Sequence, residues 1–89
     1  PMVMPKVVIY TTGYCSFCTR AKAFLRSKNV DFEEIDVTHD EGLQEEVKRL
    51  SGRRTVPQIF IDGKAVGGFD DIKQLDVLGK LDRLLGISR

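Results

Sequence analysis

The chain has 89 residues, 42% of them hydrophobic and 30% charged, with a formal net charge of +1. That length accommodates one domain of ordinary soluble composition, which buries only about 60–65% of the surface its unfolded form exposes. No apolar run approaches the ~18 residues of a membrane span, and a charge so near zero, without a basic stripe interleaved with aromatics, excludes a nucleic-acid partner.

The segment from Lys6 to Thr11 is apolar and β-branched and predicts a first strand. A helix follows from Ser16 to about Lys28, closed by Asn29, which tolerates a left-handed cap. Val30-Asp31-Phe32-Glu33-Glu34-Ile35-Asp36-Val37 alternates apolar with acidic residues, as an edge strand with one buried face does, so the first three elements form a right-handed βαβ unit. Thr38-His39-Asp40 offers cap residues for a second helix with Leu43, Val47 and Leu50 on its apolar face, ended by Ser51-Gly52. Val56 to Ile61 predicts a third strand, and Asp62-Gly63 a hairpin turn into Lys64-Ala65-Val66-Gly67. Asp70 or Asp71 can cap a last helix with Ile72, Leu75 and Leu78 toward the core; Gly79 interrupts it before Leu81, Leu84 and Leu85. The order βαβ-α-ββ-α predicts an α/β fold, a four-stranded mixed sheet flanked by helices on both faces. The domain is expected over residues 6–86. Residues 1–5, without the pattern of a secretory signal, read as an extension or cloning scar.

The chemistry concentrates where strand one meets helix one. Cys15 and Cys18 are the only cysteines, spaced C-x-x-C beside a βαβ pattern. This argues against a disulfide-scaffolded secreted protein and for a reducing compartment, taken as the cytoplasm. A cysteine at a helix N-terminus meets unpaired N–H groups and the positive end of the macrodipole, which favour a thiolate. Cys18 lies one turn on, on the same face, within reach of a disulfide, so one sulfur is set to attack and the other to resolve. A closed zinc site needs four ligands, and only Cys15, Cys18 and the distant His39 are on offer, so no metal site is expected within one chain. His39 reads as a solvated residue of a capping segment.

Two further stretches bear on a ligand. Thr55-Val56-Pro57 alone would be a strand start. With an upstream C-x-x-C, a cis Val56–Pro57 bond would present the Val56 N–H and C=O as a short pairing edge for an extended peptide. Gly67-Gly68-Phe69-Asp70-Asp71 is a tight turn before a helix. The N–H groups of Phe69 and Asp70 there suit a carboxylate and the Asp70 side chain an ammonium, together the end of an α-amino acid. Phe17, between the cysteines, is expected as a pocket wall. Arg20, Lys22, Lys48, Arg49, Arg53 and Arg54 are expected to converge on one pocket for a small anion.

Cys15-Ser16-Phe17-Cys18, Thr55-Val56-Pro57-Gln58-Ile59-Phe60-Ile61 and Gly67-Gly68-Phe69-Asp70-Asp71, in this order and spacing, resemble the glutaredoxins of the small dithiol class, over roughly Lys6 to Leu85. The resemblance implies a thioredoxin-like fold and glutathione-dependent thiol–disulfide oxidoreduction, with Cys15 as nucleophile and Cys18 as resolving thiol. It implies glutathione as cosubstrate, held by Phe17, Gln44, Thr55, Val56, Pro57, Gly68, Phe69 and Asp70. The cysteinyl backbone would pair with Val56, the γ-glutamyl end would meet Gly68, Phe69 and Asp70, and the glycine carboxylate would face Gln44, with Arg49 or Arg54 nearby. Glutathionylated or disulfide-bonded proteins are the implied partners of a monomer.

Two positions depart from the family pattern. Thr12 stands where many relatives have a lysine that favours the thiolate, and Ser16 where proline is commonest. Ser16 leaves open a second reading, a [2Fe–2S] carrier in which Cys15 of each of two chains and two glutathione thiolates ligate the cluster. A third, a redoxin reduced by thioredoxin reductase, usually carries a different segment in place of Gly67 to Asp71.

Overall fold

The computed structural model describes residues 4–87. Its elements run β1 (Val7–Thr11), α1 (Ser16–Ser27), β2 (Glu33–Asp36), α2 (Glu41–Ser51), β3 (Gln58–Ile61), β4 (Lys64–Gly67), α3 (Phe69–Val77) and α4 (Leu81–Leu84). The four strands lie in the order β2-β1-β3-β4, β1 parallel to β2 and antiparallel to β3, with β3 antiparallel to β4. The expected α/β fold and mixed sheet are therefore present, and β2 is an edge as its acidic alternation predicted. None of the described helices is long and apolar enough to cross a membrane.

Strand periodicity assigns the two faces. Val7 and Ile9 of β1 pair with Ile61 and Ile59 of β3, and all four point into one buried cluster with Ala21 and Leu25 of α1, Ile72 of α3, and Leu81 and Leu85. Each of the larger side chains contributes about 1.5–3 kcal/mol by leaving water. Val8, Tyr10, Gln58 and Phe60 alternate to the other face, where the Tyr10 and Phe60 rings meet edge-on at 5.4 Å. The buried Val47 of α2 lies outside the first cluster, and α2 packs against β4.

Several boundaries differ from the sequence expectation for identifiable reasons. β2 starts at Glu33 rather than Val30 because the Val30 N–H donates to Leu25 O and Asn29, at φ 58, closes α1. β3 starts at Gln58 because Pro57 has no N–H for the ladder. Gly68, not Asp70 or Asp71, is the N-cap of α3, and Asp71 at the third helical position reaches back to the Gly68 N–H at 2.8 Å. Leu50 and Leu78, expected in the core, are 49% and 54% exposed, Leu50 in the last turn of α2 and Leu78 at the C-cap of α3. The Asp62-Gly63 turn is as expected, with φ of 51° and 79°. Residues 1–3 of the expected extension lie outside the described residues. Pro5, from the same stretch, stands where a side chain on Gly86 would meet it at 3.1 Å.

A partly buried ion cluster fastens the C-terminal helices to α1. Lys28, the C-cap of α1, donates to Asp76 of α3 and, at 3.0 Å, to Asp82 of α4, and these bonds raise its pKa. All three groups are largely shielded from water, unlike the exposed Arg49–Glu46 pair within α2. Lys28→Met is therefore expected to lower unfolding stability by about 2–3 kcal/mol in urea titration, while Arg49→Ala stays within about 0.5 kcal/mol.

Candidate active site

Cys15 is the N-cap of α1, in extended geometry at φ −108° and ψ 106°, one residue earlier than a first-turn position. Its sulfur takes the part that a serine or aspartate oxygen usually plays at a cap: it accepts the Cys18 N–H at 3.0 Å, and it faces Val56 O at 3.5 Å. The first turn of α1 holds no acidic residue, so the Cys15 sulfur is the side-chain acceptor at that positive end. Cys15 is half-buried, reachable from solvent, whereas Cys18 is 1% exposed; both are free thiols.

Burial pushes the Cys18 thiol up to about 12, and the hydrogen bond and charge of Cys15 add to it; the Thr12 backbone N–H and the Lys22 charge oppose this more weakly. The two thiols are thus sharply differentiated, one presented and one withheld. In the folded reduced protein at pH 7, an alkylating reagent is expected to label Cys15 alone. Cys18 should react only after denaturant is added, as peptide mass spectrometry would show.

A groove of about 250 Å³ beside the helix start is lined by Phe17, Arg53, Thr55, Val56, Pro57, Gly68, Phe69, Asp70 and Asp71. It gathers every residue expected to hold a ligand except Gln44. The Val56–Pro57 peptide is cis, as anticipated. Gly68 lies so close to this loop that a Cβ would stand 3.1 Å from Pro57 O. Gly67, at φ 107°, leaves no room for one at all, because the Asp71 carboxylate would be 2.5 Å away. The Phe17 and Phe69 rings lie 6.3 Å apart, and Arg20 stacks over Phe17 at 5.4 Å.

Gln44 instead lines an adjoining pocket of about 180 Å³ with Thr12, Val37, Val47, Arg53, Arg54, Thr55 and Val56. Its amide N–H donates to Val37 O at 2.6 Å. The two depressions share Arg53, Thr55 and Val56, so an extended ligand could run from one into the other.

The expected convergence of cations is only partly present. Lys22 pairs with Glu34, Lys48 with Glu45 and Arg49 with Glu46, while Arg53 and Arg54 reach the grooves. No sequence pattern marks the partner that Arg53 takes. Its guanidinium grips both Asp71 oxygens, at 2.6 and 3.3 Å, tying the loop before Val56 to the start of α3. This contact, with the Gly68 N–H, holds the Asp71 carboxyl below its ordinary value, and Thr11 and Lys22 do the same for Glu34. The stability these carboxylates supply is fully present above about pH 5 and is lost as the pH falls through their depressed values. Asp71→Asn should therefore flatten the acid limb of a stability–pH curve.

A mixed sheet with a dithiol at the start of its first helix, opposite a cis-proline loop, defines a thioredoxin-like redox protein. The glutaredoxin family model matches residues 7–66. The glutaredoxin of Pseudomonas aeruginosa is 51% identical over 82 residues, covering 92% of this chain and 98% of the relative. Among solved structures, the glutaredoxin of Brucella melitensis superposes with a TM-score of 0.85 at 48% identity, covering 96% of this chain and 92% of that one. A buckwheat glutaredoxin–glutathione complex superposes at 0.86 with 27% identity, covering 94% of this chain and 83% of that one. The chain belongs to the glutaredoxin family, and its activity is that of a thiol–disulfide oxidoreductase.

Proposed function

We propose that this protein is a glutathione-dependent oxidoreductase that reduces protein–glutathione mixed disulfides and, through its second thiol, protein disulfides. The observation that carries the reading is the juxtaposition of a presented Cys15 sulfur with a groove of peptide dimensions whose walls are Val56 and the start of α3. Glutathione is a tripeptide with an α-amino acid at one end and a carboxylate at the other. The Gly68 N–H is already taken by Asp71, which leaves the Phe69 and Asp70 N–H groups for the γ-glutamyl carboxylate and the Asp70 side chain for its ammonium. Arg54, which makes no ion pair among the described residues, stands with Gln44 in the adjoining pocket for the glycine carboxylate. Arg49 points to Glu46 instead. The superposed buckwheat complex, which contains glutathione, supports this ligand.

In the cycle, the Cys15 thiolate attacks the glutathione sulfur of the mixed disulfide. A Cys15–glutathione bond forms, the S–S bond to the protein breaks, and the protein leaves as a thiolate that takes up a proton. A second glutathione thiolate then attacks the sulfur of the bound glutathione, which releases oxidised glutathione and restores the Cys15 thiolate. With a protein disulfide, Cys18 attacks Cys15 of the mixed intermediate and frees the protein thiol, leaving an internal disulfide.

The withheld state of Cys18 suits this order. While Cys15 bears charge and accepts from Cys18, it helps hold the second thiol protonated; once Cys15 is tied in a disulfide those two influences end, and burial alone opposes ionisation. Internal disulfide formation should therefore accelerate by about tenfold per unit as the pH rises from ~6 to ~9, read by single-turnover trapping of the Cys15 intermediate.

Cys15→Ser is expected to abolish turnover of both substrate classes. Cys18→Ser should keep activity on a small glutathione mixed disulfide and lose protein-disulfide reduction. Equal loss in both variants, or reduction by thioredoxin reductase in place of glutathione, would overturn the reading. Purification under anaerobic conditions with glutathione is expected to yield a colourless monomer; a brown dimer would move the protein to the cluster-carrying reading. Arg54→Ala should raise the KM for glutathione by about three- to tenfold with a smaller change in kcat.

A further inference from the structure

The loop that carries Cys15 also borders a second concavity that the proposed cycle does not use. It is open, about 480 Å³, and formed where the β1–α1 loop meets the β2–α2 loop, with Gly13, Tyr14, Asp36, Thr38, His39 and Asp40 around it. Tyr14 immediately precedes Cys15, and its side chain is 96% exposed, the most exposed of the large hydrophobic residues described. An aromatic ring held in water beside a reacting sulfur gains nothing for the fold, since no described ring or cation packs on it.

The same depression is anionic. The Thr38 hydroxyl and backbone N–H hold the Asp36 carboxyl below its ordinary value, and Asp40 accepts the Leu43 N–H at 2.9 Å. Among the described residues neither carboxylate forms an ion pair; His39, in the same lining, and Lys22, bound to Glu34, act on Asp36 only through charge at longer range. The two loops are clipped together by the Gly13 N–H on the Thr38 hydroxyl at 2.9 Å, so the rim is preformed. Two carboxylates and an open aromatic face thus border the loop that presents Cys15.

We propose that this Tyr14 concavity docks the polypeptide half of the mixed disulfide and favours a partner with arginine or lysine beside its modified cysteine. The proposal rests on the glutathione reading above and adds to it the class of protein substrate. An arginine next to the disulfide can lay its guanidinium on the Tyr14 ring and meet Asp36 or Asp40, contacts that an acidic neighbour would turn into repulsion.

The test uses two glutathionylated peptides identical except for the residues flanking the cysteine, arginine in one and glutamate in the other. Wild-type protein is expected to show a kcat/KM about tenfold higher for the arginine peptide at low salt, with the ratio shrinking as salt is added. Asp36→Asn with Asp40→Asn, which keeps an oxygen for the Thr38 and Leu43 donors, should bring the ratio near one. Tyr14→Ser should lower kcat/KM for the arginine peptide by about threefold. All these variants should turn over the mixed disulfide of glutathione and mercaptoethanol like the wild type. Equal kcat/KM for the two peptides in the wild type, or a preference that survives the double substitution, would overturn the proposal. A wild-type protein that ignores the small glutathione disulfide, yet prefers the arginine peptide when it is offered as a mercaptoethanol disulfide, would overturn the glutathione reading and leave the docking surface standing.

Discussion

The hydrogen bond from the Cys18 N–H to the Cys15 sulfur, 3.0 Å long, is the contact around which this molecule's chemistry turns. It makes a reactive group serve as a structural one: α1 has no other side-chain cap and no acid in its first turn, so the helix start is completed by the sulfur itself. Anything that takes electron density from that sulfur also unsettles the cap, and anything that stabilises the helix end favours charge on the sulfur. The donor belongs to the second cysteine, so the two cysteines are joined through the backbone of the one and the sulfur of the other.

Around this contact the sheet does the positioning. β1 delivers the loop that carries Cys15, and β3, hydrogen-bonded to β1 at the centre of the sheet, delivers Val56 and Pro57 to the same edge. The start of α3 is brought up to them by glycines that a larger residue could not replace without moving Pro57 or Asp71. Arg53 and Asp71 then bridge the two walls. As an exposed pair this bridge adds little stability; its consequence is geometric, because it ties the two walls of the groove together. Arg54 is left without an ion pair among the described residues.

The departures from the family pattern fit this arrangement. Thr12 places no cation at the rim; its side chain lines the Gln44 pocket, and its backbone N–H reaches the Cys18 sulfur. Ser16 opens α1 directly after the cap, where any residue with helical geometry serves, since the first N–H groups of a helix have no intrahelical acceptor. The positive field at Cys15 then comes from the backbone of α1 rather than from a neighbouring side chain.

The sequence by itself determined the order of elements, the edge position of β2, the Asp62-Gly63 turn and the place of the two cysteines at the start of the first helix, and it pointed to the cis Val56–Pro57 bond. These are local properties: alternation, turn chemistry, a spacing of three on a helix face. It also indicated most of the groove, because Phe17, Thr55, Val56, Pro57, Gly68, Phe69 and Asp70 lie in three short motifs. The tertiary structure alone decided which of many charges matter. Six cations looked alike in the sequence, and only packing shows Lys22, Lys48 and Arg49 on carboxylates beside them, Arg53 on Asp71 eighteen residues away, and Arg54 without an ion pair in its pocket. It also decided that Leu50 and Leu78 face solvent, since exposure at a helix end depends on how the elements are placed, and that Tyr14 stands open beside a hollow bordered by two carboxylates. A charge acts through space on whatever lies within a few ångströms, and sequence distance carries no information about that neighbour.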